Sequence, residues 1–76
     1  MTEARLWPRQ REVLFWAARG HNTKTTAIVM GVSPRTVEVH RQIAVRAMDA
    51  ENVTHAVVRA LAGGIITLEE LRGEPT

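Results

Sequence analysis

Gly31 to His40 read GVSPRTVEVH, and no other stretch constrains the fold as tightly. The Ser33 hydroxyl can accept a backbone N–H from the first turn of a helix. Pro34 then stands at the first helical position, where its fixed φ suits the helix and its missing N–H is not needed. Gly31 can take the left-handed conformation that closes a preceding helix. Two helices joined by a turn of about three residues follow, the helix-turn-helix arrangement. From Pro34 the run PRTVEVHRQIAVRAM meets no breaker, so the spacing predicts a helix over 34–48. Val37, Ile43, Ala44 and Ala47 or Met48 recur at three- and four-residue intervals and predict its inward stripe. Thr36, Val39, His40 and Arg41 fall partly or wholly off that stripe.

The other elements follow by the same logic. Pro8 and Gly20 bracket an apolar-rich run and predict a first helix, Pro8–Arg19, whose cap position holds Trp7, a side chain that cannot accept. Asn22 or Thr23 can cap a second helix reaching Met30, although its threonines are weak helix formers. Asn52 caps a fourth helix to about Ala62, with Val53, Ala56, Val57, Ala60 and Leu61 as its apolar face. Gly63 and Gly64 stop it, and Ile65–Ile66 are expected to fold back on the core. Thr67 with Glu70 fits a capping box and predicts a last turn through Leu71. The end, RGEPT, is expected to be loose. The fold class expected is an all-α four-helix bundle with a short extra helical turn.

At 76 residues the chain allows one domain. Its helix-turn-helix core is expected over about 6–66, with 67–76 as an extension. There is no cysteine and hence no disulfide framework or thiolate metal site. No apolar run approaches the roughly 18 residues of a membrane span, and no signal-peptide pattern opens the chain. A cytoplasmic location is expected, in a bacterium or from a phage within one, with no membrane partner. Residues 1–46 carry eight Lys and Arg against three Glu, while residues 47–76 carry two Arg against five acidic residues. A basic front suits a polyanion, although an ordinary solvated surface has the same look. His21, His40 and His55 lack metal-ligand spacing. No nucleophile–base pair or phosphate-cradling glycine loop is present, so neither an enzyme nor a cofactor is expected.

The segment LWPRQREVLFWAARGHNTKTTAIVMGVSPRTVEVHRQIAVRAM resembles the LuxR-type, or GerE-type, helix-turn-helix domain. Pro8, Arg9, Arg11, Glu12, Val13, Leu14, Ala18, Arg19, Gly20, Lys24, Ala27 and the run from Gly31 to Val37 carry the likeness, with Val39 and His40. NVTHAVVRALAGGII resembles the family's fourth helix. The resemblance implies a transcriptional regulator whose third helix enters the major groove of double-stranded DNA and whose fourth supports a homodimer. It also implies a stand-alone member, because only about five residues precede Leu6. Glu38, Val39 and Gln42 match the family's base-reading positions. A carboxylate accepts from cytosine N4, a glutamine pairs with adenine, and a valine meets a thymine methyl. Packing on the helix, for Val39, and an ion pair with Arg35 or Arg41, for Glu38, are the plain alternatives. Asn22, Thr23, Lys24, Arg35, Thr36, His40, Arg41 and Arg46 are expected at phosphates. Val58 and Ala62 fall off the apolar stripe of the fourth helix and fit a dimer seam.

Three departures from the family pattern stand out. Phe15, Ile28 and Val29 occupy positions the family usually fills with polar residues, and Thr26 replaces a usual apolar core residue. Either the second helix is rotated, or these three form an apolar patch for a transcription-machinery protein. Under that second reading the chain keeps the fold but acts as a protein-interaction module. Region 4 of sigma factors shares the style of the pattern and is a third option. Asp49 stands where the family usually ends a helix with glycine, and Asp tolerates left-handed geometry.

Overall fold

A computed structural model describes residues 6–73. It contains α1 (Pro8–Ala18), α2 (Thr23–Met30), α3 (Pro34–Ala47), α4 (Val53–Ala62) and α5 (Leu68–Arg72), and no strand among the described residues. The helices start where their caps direct. Asn22 Oδ1 accepts from the Thr25 amide, and Thr25 Oγ1 in turn accepts from the Asn22 amide. Asn22, rather than Thr23, is therefore the cap of α2. Ser33 Oγ accepts from the Thr36 amide at 3.1 Å and Asn52 Oδ1 from the His55 amide at 2.8 Å. Thr67 and Glu70 form the expected reciprocal box. Trp7 makes no side-chain cap bond. Gly31 closes α2 at φ 72°, and Asp49 turns the chain after α3 at φ 55°.

α1 lies at the centre of the packing, against both α3 and α4, and α2 packs on α3. Val13, Leu14, Ala27, Met30, Val37, Ala44, Met48, Ala56, Ala60 and Ile66 form the buried cluster. Ile66 folds back as expected and is fully buried. α5 is held by Arg11 of α1, whose Nε donates to the Ile65 carbonyl at 3.1 Å and whose Nη2 meets Glu70 at 2.5 Å. That guanidinium hydrogen bond, aided by the Thr67 amide, holds the Glu70 carboxyl below its usual pKa.

The inward stripe of α3 differs from the expected one. Ile43 is 42% exposed, while Val37, Ala44 and Met48 are buried. The gap between Val37 and Ala44 is filled by His40 and Arg41, both half-buried. The inward positions 37, 40, 41, 44 and 48 keep helical spacing, but two of them, His40 and Arg41, are polar, and the apolar pattern took in Ile43 instead.

The rotation of α2 offered as an alternative does not occur. Thr26 is fully buried, Ile28 is 71% exposed and Val29 is 45% exposed. Thr26 Oγ1 has no hydrogen-bond partner there. A buried hydroxyl without a partner costs about 1–3 kcal/mol relative to a satisfied one. Thr26→Val keeps the shape and removes that hydroxyl, so chemical denaturation should show a gain of about 1 kcal/mol. A loss of stability would mean that the hydroxyl has a partner in solution.

Candidate nucleic-acid interface

The outward side of α3 is a second helical stripe, interleaved with the inward one. Arg35, Glu38, Val39, Gln42, Ile43 and Arg46 follow one another at i, i+3, i+4, i+7, i+8 and i+11, and all six are exposed. The stripe has an arginine at each end and groups able to hydrogen-bond or make apolar contact between them. Ion pairs among the described residues are confined to Arg9–Glu12 and Arg11–Glu70. Glu38 is thus paired with neither Arg35 nor Arg41, and its carboxylate acts only as an acceptor toward whatever approaches. Val39 is 40% exposed and packs only in part on its own helix.

Two contacts fix how α2 and α3 stand toward each other at this surface. Arg41 Nη2 donates to the His21 carbonyl at 3.2 Å, just before α2. His21 Nδ1 lies 3.2 Å from Thr25 Oγ1, and its ring meets Trp16 edge-on with centroids 5.1 Å apart. This chain of contacts runs from α3 through the α1–α2 turn to the cap of α2. On the other side, Gln10 Nε2 of α1 lies within hydrogen-bond reach of His40 Nδ1, at 3.1 Å. Gln10 is itself buried. His40 and Arg41 therefore position α3, and Arg41 Nε is buried without a partner. That double attachment had no counterpart in the apolar pattern, which registers only hydrophobic spacing.

Apart from Arg46, the remaining expected phosphate contacts gather at two helix starts. Lys24 is exposed in the first turn of α2, beside exposed Asn22 and half-buried Thr23. The Asn22 side chain is occupied by its own cap. Arg35 is exposed in the first turn of α3, whereas the Thr36 hydroxyl accepts from Ser33 Oγ at 3.0 Å. Arg46 lies three turns further along α3 on the outward stripe. Both helix starts present first-turn amides and the positive end of a helix dipole, an arrangement suited to anions.

The other expected surfaces are separate from this one. Val58 is 56% exposed on α4 and shares a row with exposed Thr54 and Ala62. Ile28 and Val29 are exposed on α2, but Phe15 is half-buried. Phe15 lines a shallow depression of about 390 Å³ with Pro8, Arg11, Glu12, Trp16 and Glu70, to which α2 contributes nothing. Arg19 stands over both its ring and that of Trp16. No helix among the described residues is long and apolar enough to cross a membrane.

Comparison with known proteins agrees with this geometry. The family model described as "Bacterial regulatory proteins, luxR family" matches residues 4–60. The chain is 42% identical over 64 residues to the HTH-type quorum sensing-dependent transcriptional regulator RpaR of Rhodopseudomonas palustris, covering 84% of this chain and 26% of that protein. It is 45% identical over 56 residues to the transcriptional regulatory protein FixJ of Rhizobium meliloti, covering 74% of this chain and 28% of that one. The chain thus spans about a quarter of the length of the curated relatives it matches. With the family model covering most of the chain and the helix-turn-helix geometry in place, the chain belongs to the luxR family of bacterial regulatory proteins.

Proposed function

We propose that this domain is a sequence-specific DNA-binding module of a transcriptional regulator, with α3 lying in the major groove. The outward stripe of α3 carries the reading: unpaired arginines frame Glu38, Val39 and Gln42 on a single exposed face. Lys24, Arg35 and Arg46, with the first-turn amides of α2 and α3, hold phosphates and set the register. Glu38 accepts from cytosine N4 and Gln42 pairs with the N6/N7 edge of adenine, while Val39 meets a thymine methyl. His40 and Arg41 act chiefly by positioning the helix. The transcriptional role follows the names of relatives such as RpaR and FixJ. A homodimer through the Thr54–Val58–Ala62 row of α4 would bring two such helices to a two-fold site.

The test compares variants on a selected duplex and on random duplex. Gln42→Ala should lower discrimination between them about tenfold to a hundredfold, the range for one bidentate base contact. Glu38→Ala should lower discrimination too, yet raise affinity for random duplex, because it removes a carboxylate that repels phosphate. Equal effects on both duplexes would assign these side chains to the backbone rather than to bases.

A second reading rests on the exposure of Ile28 and Val29 on α2, which an interaction with a transcription-machinery protein would cover. Under it, Val29→Glu abolishes regulation in cells while leaving affinity for duplex DNA unchanged.

A further inference from the structure

One residue of the outward stripe has no role in the recognition scheme above. Ile43 stands one turn after Val39, and the two are 42% and 40% exposed. Four residues of helix rise about 6 Å, or about two base steps of duplex. Val39 and Ile43 form an apolar row beside the polar row of Glu38 and Gln42. The core of α3 is filled without Ile43 by Val37, Ala44 and Met48. An exposed β-branched side chain gains nothing from helix propensity either. The stripe carries two arginines against one glutamate, a balance that draws a polyanion onto this face. On a polyanionic duplex, the apolar group that major-groove base edges offer is the thymine C5-methyl.

We infer that Ile43 is a further specificity-determining residue, which together with Val39 takes up thymine methyl groups about two base steps apart. The inference rests on the DNA-binding reading and adds to it a methyl-defined part of the operator. Polar contacts through Glu38 and Gln42 select hydrogen-bonding edges, and the neighbouring apolar row selects thymine by its methyl group. Removal of one such methyl forfeits the burial of about one CH₂-sized group, a factor of about four in affinity.

The test starts by enriching duplexes from a random library with the full chain. Each thymine of the enriched sequence is then replaced singly by deoxyuridine, which lacks only the methyl. The unaltered chain should lose about fourfold at two positions roughly two steps apart. Ile43→Ala should bind the thymine duplex more weakly and be indifferent to uracil at one of those positions, with Ile43→Val intermediate. The valine variant retains the β-branch and serves should the alanine variant fail to fold, which thermal melting would reveal. If both variants respond to uracil as the unaltered chain does at every position, the inference is overturned while DNA binding stands. If Ile43→Ala instead changes the sedimentation of the free chain, Ile43 belongs to a self-association seam and the inference is again overturned. Failure to enrich any duplex overturns the DNA-binding reading and this inference together.

Discussion

Raising the salt from 50 to 200 mM should weaken binding to duplex DNA about fortyfold per domain. The figure follows from about three charged phosphate contacts per domain, each releasing close to one counterion when it neutralises a phosphate. In the proposed reading Lys24, Arg35 and Arg46, all exposed, supply the charged contacts. The measurement is a titration by fluorescence anisotropy at several salt concentrations, with the logarithm of affinity plotted against that of salt. Lys24→Ala, Arg35→Ala and Arg46→Ala should each reduce the slope by about one and weaken binding evenly across sequences. Arg41→Ala is a different experiment. Its guanidinium is bonded to the His21 carbonyl, so the variant loosens α3 from the α1–α2 turn and acts through the fold. A flat salt profile would remove phosphate contact from the account and turn attention to the exposed face of α2.

The second large effect is on stability. Leu14→Ala should destabilise the domain by about 3 kcal/mol, within the range for truncating a fully buried leucine. Leu14 is among the largest fully buried side chains and lies on α1, which packs against both α3 and α4. A domain of this size has roughly 4–11 kcal/mol of stability in total. The midpoint of thermal unfolding should therefore fall by about 15 °C, as read by circular dichroism. Duplex DNA at a hundredfold excess over its dissociation constant should return about 2.7 kcal/mol, because it binds only the folded chain. A change of less than about 1 kcal/mol for Leu14→Ala would mean that the centre of α1 is not tightly packed.

Much of the architecture was legible in the sequence because its punctuation is local. Ser33, Pro34, Asn52, Thr67 with Glu70, and Gly31 each act within a few residues of where they stand, and each occupies the predicted place. The helix ends differ by about one residue, the usual fraying of a last turn. Ile43 was misplaced for a reason that is not local. The inward stripe of α3 is completed by His40 and Arg41, whose partners are Gln10 on another helix and a carbonyl in a distant turn. A hydrophobic pattern cannot register a polar side chain satisfied by tertiary contact, so it slid to the nearest apolar residue. The apolar cluster of Phe15, Ile28 and Val29 fared similarly. Spacing marked each as lying off its own helix's core face, but only the packing shows that Phe15 shares its surroundings with α5.

The two stripes share no residue: 37, 40, 41 and 44 of α3, with Met48 at its C-cap, hold the helix in place, and 35, 38, 39, 42, 43 and 46 face outward. In the proposed DNA-binding reading, selection on folding and selection on sequence preference therefore act on different positions of this one segment. Under that reading, descendants of such a chain can acquire new operators by exchanging outward side chains without passing through an unfolded intermediate. The same independence makes the helix a cassette for engineering, in which the outward letters are rewritten while the inward ones are left alone.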